Sequence, residues 1–268
     1  MQFSSMSHAS IRTISIALFF LVSTYTQVVA GEPGSSLSSS QSSEPVQSEG
    51  SIVGRLWGDI SYMLSDRTFY GIVGGISLAP SAFHSDFNNE SAELTELWGP
   101  SIFADNFFEA GEILGQGILP VSASAAIWSI GGIAGSNSAQ SLGSDLLRAQ
   151  AINGFATAAL KGAINRKRPN GAPYSYPSGH TSSAFAVAGV IQGRYGARWG
   201  IPAFTLASYV GLSRLQEGKH FLSDIVAGGI LGTYVGLTVA RRGRRQGGLR
   251  IAPSQVGDAG GVSLSLRF

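Results

Sequence analysis

The chain is expected to fold as an all-α helical bundle followed by a small C-terminal β-hairpin. Three observations lead there. From Ile52 the apolar density rises and stays high, in segments that read as helices. Gly, Pro and Asn-rich breaks separate them, such as Gly99-Pro100, Gly117…Pro120, Gly135-Ser136-Asn137 and Gly200…Pro202. Strand signals are nearly absent until the end of the chain.

In chain order, residues 1–30 read as an export signal. Arg12 precedes the apolar run Ile14 to Val22, and Val28-Val29-Ala30 offers a cleavage site. An uncleaved membrane anchor is the competing reading. Residues 31–52 are rich in Ser, Gly, Glu and Gln and bury too little apolar surface to fold, so they form a disordered leader. The domain at 53–245 carries helices over 53–64, 68–81, 98–115, 118–134, 143–166, 179–195, 201–215 and 220–241.

Ile225 to Ala240, 16 residues, is apolar nearly all round, which fits a buried core helix or a short membrane span. A bilayer requires about 20 residues. The following Arg241-Arg242-Gly243-Arg244-Arg245 is a cytoplasmic flank in one case and a solvated helix end in the other. Counting spans outward from a cleaved signal contradicts that basic flank. An exported domain lying against a membrane, periplasmic or otherwise extracytoplasmic, resolves the contradiction. At 246–268, Leu249-Arg250-Ile251 and Val262 to Phe268 bracket a Gly-rich turn. This is expected to be an edge hairpin packed on the domain; one hairpin cannot close an outer-membrane barrel.

Composition narrows the function. The chain has 268 residues, 36 of them Gly, with 13% charged and a net charge of +2. That balance does not indicate a nucleic-acid partner. The absence of Cys removes thiol catalysis, zinc–thiolate sites and disulfides.

Three clusters carry the chemistry. Lys161 and Arg168 lie seven apart, on one face of a helix that Pro169 breaks. Arg166 and Lys167 between them are expected to face solvent. Pro177-Ser178-Gly179-His180 opens the next helix, where Ser178 can cap and Gly179 admits an anion to the backbone N–H groups. Ser213-Arg214 ends another helix, and His220 and Asp224 stand one turn apart, so the carboxylate can orient the imidazole. Singly, each cluster reads as a helix end, a cap or a salt bridge. Together they gather three cations, two histidines and a carboxylate.

The chain therefore resembles the type-2 phosphatidic acid phosphatase and vanadium haloperoxidase superfamily. Its pattern, Lys-x6-Arg-Pro, Pro-Ser-Gly-His and Ser-Arg-x5-His-x3-Asp, is matched at every position between 161 and 224. The resemblance implies a helical fold over about 60–241. It implies His220 as a nucleophile that becomes phosphorylated, Asp224 as its orienter and His180 as the acid for the leaving oxygen. Lys161, Arg168, Ser178, Gly179 and Arg214 would hold the phosphate. No metal or other cofactor is implied, although vanadate would occupy the same site.

The expected activity is phosphate release from a monoester or diphosphate. The resemblance and the apolar helices favour a lipid-linked partner of the phosphatidate, isoprenyl diphosphate or lipid A type. A vanadium haloperoxidase and a non-catalytic phospholipid-binding envelope protein are the alternatives. Among other residues, His8 leaves with the signal and His84 reads as a surface loop residue. Glu217 and Lys219 lie in the loop before His220, where substrate contact and solvation are both open and solvation is the expectation. Trp98, Trp128 and Trp199 read as core or interfacial packing.

Overall fold

In this computed structural model, which describes residues 51–82, 102–246, 249–256 and 259–266, two helices begin at a serine whose hydroxyl caps them. Ser51 Oγ accepts from Gly54 N at 3.1 Å and opens α1, Ile52–Ser65. Asp66 ends α1, and its carboxylate accepts from Thr68 N at 2.9 Å to start α2, Arg67–Ala82. Helices α3 (Ile102–Gly115) and α4 (Ile118–Ile133) meet at a 55° bend. Ser136 caps α5, Asn137–Ile164, which stops at Asn165 in the left-handed region. Then come α6 (Gly179–Tyr195), α7 (Ala197–Gln216) and α8 (Leu222–Gln246).

This body is all-helical, and its described residues contain no strand. The hairpin expected beyond it is not a component of the body. Leu249–Val256 and Ala259–Leu266 run antiparallel, with Leu249 opposite Leu266. The expectations for the signal, for the leader up to residue 50, and for His84 and Trp98 lie outside the described residues.

Two helix starts differ from expectation. The α5 helix begins at Asn137, because the Ser136 cap sits directly after the Gly135 turn. The α7 helix begins at Ala197 and runs through Pro202. That proline lies one turn inside and deprives only the carbonyl of exposed Arg198 of its usual donor.

The α8 helix forms the middle of the core. Leu231, Val235 and Val239 are fully buried with Tyr176, Val190 and Ala149. Gly228, Gly232 and Gly236, four apart, lie on one face against α6. A Cβ at any of them would run into the carbonyl of Ser178, Ser182 or Ala186 respectively. This close approach sets the start of α8 directly on the Pro177–His180 turn. Leu222–Gly243 is long and apolar enough to cross a membrane, yet 78% of its apolar window is buried against the protein. That is the environment of a core helix. Trp199, by contrast, is 60% exposed, so it is not a core residue.

Far from that turn, ion pairs tie four helices. Arg148 of α5 bonds Asp59 of α1 and Asp145 of its own helix, and Arg194 of α6 also bonds Asp145. Arg242 of α8 donates to Asp59 Oδ1 at 2.9 Å. Arg242 was expected in a solvated or membrane-flanking tail; it instead closes the buried cluster, because Asp59 lies within reach and without water.

Candidate active site

The three clusters meet at one end of α5, α6, α7 and α8. Lys161 lies in the last turn of α5, and Gly179 starts α6 beside it, so that a Cβ on Gly179 would sit 3.8 Å from Lys161 Cε. Ser178 N donates to the Asp224 carbonyl at 2.9 Å, joining the second cluster to the third. His220 N donates to the Arg214 carbonyl at 3.3 Å, folding the 217–220 loop back on the end of α7. Arg168 sits in a tight loop, its N–H bonded to Ala172 O at 2.8 Å.

His220 is buried and oriented. Its Nδ1 lies 3.3 Å from Asp224 Oδ2, which leaves Nε2 as the nitrogen turned away from the carboxylate. Ser175 Oγ donates to the same Oδ2 and lies 3.5 Å from Nδ1. Phe221 N also donates to Oδ2, at 3.0 Å. On the other oxygen, Arg166 Nη1 donates to Oδ1 at 2.8 Å. Burial pushes the Asp224 carboxyl up, but bonds from His220 and Ser175 and the charge of Arg166 outweigh it and hold it below the usual range.

Arg166 and Ser175 escaped the sequence reading. Arg166 was expected to face solvent, as helical periodicity suggests for a residue between Lys161 and Arg168. The helix ends at Ile164, however, and the left-handed turn at Asn165 sends Arg166 inward. There its guanidinium also donates to Ser223 Oγ at 2.8 Å and lies 4.2 Å from the Phe221 ring centre. A second arginine two residues before Arg168, just past the helix end, was the available signal. Ser175 offered none.

The cations differ in what they touch. Lys161 Nζ donates to the Tyr174 carbonyl at 2.6 Å, and Arg168 Nε to that of Pro173 at 3.3 Å. Burial, with help from Arg168, pulls the Lys161 ammonium down to about 8. Arg214 is buried, pairs with Glu217 and has Glu112 Oε1 3.5 Å from Nη1. Its Nε and Nη1 have no hydrogen-bond partner. Ser178 occupies the cap position of α6 but its hydroxyl makes no cap bond; it accepts from Thr181 Oγ1 at 2.9 Å. The first N–H groups of α6 point toward the same end by helix geometry.

Both imidazoles are held neutral. Burial, Arg214 and His220 push His180 down to about 4. Burial also lowers His220, and the charges of Lys161 and Arg168 add to this against the pull of Asp224. A neutral His220 with one nitrogen fixed is a competent nucleophile. An anion bound among these cations would raise both histidines.

Comparison with known proteins points the same way. Residues 143–247 match the PAP2 superfamily, a span that contains all three clusters. Over 97 residues, 35% of this chain, it is 39% identical to the lipid A 1-phosphatase of Porphyromonas gingivalis, covering 22% of that protein. Over 84 residues, 27% of this chain, it is 30% identical to the lipid A 4'-phosphatase of Helicobacter pylori, covering 42% of it. The chain thus spans less than half the length of these relatives.

Proposed function

We propose that this protein is a phosphatase releasing phosphate from a lipid-linked ester of the lipid A type. The observation that carries it is the His220–Asp224 pair, fixed within the charge range of Lys161 and Arg168, two cations bonded only to neutral carbonyls among their described contacts. The similarity of residues 143–247 to the PAP2 superfamily supports it.

His220 Nε2 attacks phosphorus while the P–O bond to the lipid alcohol breaks, and His180 gives its proton to that oxygen. Water then attacks the phosphohistidine, His180 takes the water's proton, and the P–N bond breaks to release phosphate. His180 is neutral in the free protein, so the bound dianion must supply the potential that protonates it. Lys161, Arg168 and Arg214 neutralise the equatorial oxygens, with the Ser178–Gly179 turn beside them. Three cations can do this without a metal ion.

A membrane surface is the proposed location, at the bacterial envelope after export. Ile133, Ile118 and Ile130 of α4 are 89%, 74% and 63% exposed, and Trp199 and Ile201 of α7 are also exposed. Apolar side chains of this density suit contact with lipid.

The test is phosphate release from lipid A, phosphatidate, isoprenyl diphosphate and an aryl phosphate, with EDTA present. Turnover that resists EDTA and is blocked by vanadate is the expected result. No turnover on any of the four would return the chain to the class of phospholipid-binding proteins.

A further inference from the structure

Glu112, Glu217 and Lys219 stand beside this site, and the chemistry above uses none of them. Helix α3 crosses the catalytic end through two glycines. A Cβ at Gly111 would lie 2.7 Å from Ser213 Cβ, and one at Gly115 would lie 3.1 Å from His180 Cβ. Glu112 follows Gly111 directly and so is delivered between these contacts. Its Oε1 is 2.7 Å from Lys219 Nζ and 3.5 Å from Arg214 Nη1. Lys219 also reaches Glu217 Oε2 at 2.9 Å, and Glu217 pairs with Arg214. Glu217 Oε1 is buried without a hydrogen-bond partner, an acceptor desolvated with nothing to receive.

We infer that Glu112 and Glu217 read the leaving group, accepting hydrogen bonds from hydroxyl or N–H groups of a sugar-like alcohol next to the scissile phosphate. This rests on the phosphatase reading, because His180, the proposed acid, marks the leaving side, and Glu112 lies close enough for its charge to act on that imidazole. With a phosphate engaging Arg214, the remaining Glu112, Glu217 and Lys219 sum to one negative charge. A leaving group rich in donors satisfies that arrangement. An alkyl or diacylglycerol alcohol offers no donor and leaves Glu217 Oε1 unsatisfied. A diphosphate brings a second anion to two carboxylates and is repelled.

The experiment measures kcat/KM for phosphate release from N-acetylglucosamine 1-phosphate, decyl phosphate and farnesyl diphosphate, using the full chain. Wild type should prefer the sugar phosphate. Glu112→Gln keeps the shape and removes the charge. It should cut the preference for the sugar over the alkyl phosphate about tenfold while raising turnover of the diphosphate. A latch that merely holds α3 to the loop would move all three substrates in parallel, and that result overturns the inference. Glu217→Gln, measured beside it, decides the matter where Glu112→Gln does not fold. Activity on decyl phosphate with no preference for the sugar also overturns it, with the phosphatase reading intact. Silence on all three substrates, with lipid A run beside them and also uncleaved, removes the phosphatase reading itself.

Discussion

Two ionic clusters sit at opposite ends of α5, α6 and α8, roughly 27 Å apart along α8 from Asp224 to Arg242. At the far end, Arg148, Arg194 and Arg242 all terminate on the carboxylates of Asp59 and Asp145. At the near end, Lys161 and Arg168 terminate on backbone carbonyls, and Arg214 keeps Nε and Nη1 without a hydrogen bond. A carbonyl dipole satisfies a donor but does not cancel a full charge. What differs is that Lys161 and Arg168 bond no carboxylate among the described residues, which leaves a reason for an external anion to bind there, whereas Arg214 and Arg166 meet Glu217 and Asp224 within the chain.

Substitutions at the two ends should therefore fail in different ways. His220→Ala should lower kcat by about 10^4-fold or more, since the proposed nucleophile is gone. Its denaturation midpoint should stay near that of wild type, and substantial residual turnover would remove the phosphohistidine route. Arg148→Ala should do the reverse. Breaking a buried pair costs about 3–5 kcal/mol, read from urea denaturation, while kcat per folded molecule is retained. A loss of kcat without loss of stability would erase the distinction between the clusters.

Arg166→Ala sharpens the comparison, because Arg166 is an arginine of the near cluster that does find a carboxylate. It is a positioning residue, acting on His220 through Asp224. Its loss should lower kcat about 10- to 100-fold with little change in KM and should shift the acid limb of the pH profile. Lys should rescue only in part, lacking the planar guanidinium that stacks on the Phe221 ring.

The smallest effects are those of pH. Lys161 titrates near 8 in the free protein, below its ordinary 10.5, so kcat/KM should fall above about pH 8. Lys161→Arg should move that limb upward. His180 titrates near 4, below its ordinary 6.5, so between those values the unfolded chain binds more protons than the folded one. Stability should therefore drop as pH falls from 6.5 toward 4, and His180→Gln should flatten the slope.

Among the described residues, the helices, most of their boundaries and the three clusters that converge were legible in the amino-acid order. Apolar runs between Gly, Pro and Asn breaks are local signals, and each cluster falls within a dozen residues of sequence. Arg166, Ser175, Glu112 and Arg242 were not legible. Arg166 depends on one left-handed residue, Asn165, that reverses the chain. Ser175 reaches Asp224 across 49 positions, Lys219 reaches Glu112 across 107, and Arg242 reaches Asp59 across 183. Periodicity says which face of a helix is apolar, but not which distant carboxylate will meet a given arginine once water is excluded. Local chemistry thus named the groups proposed to hold and attack a phosphate. Packing, through the glycine faces of α3 and α8, chose which charges are neutralised internally and which are left for a substrate.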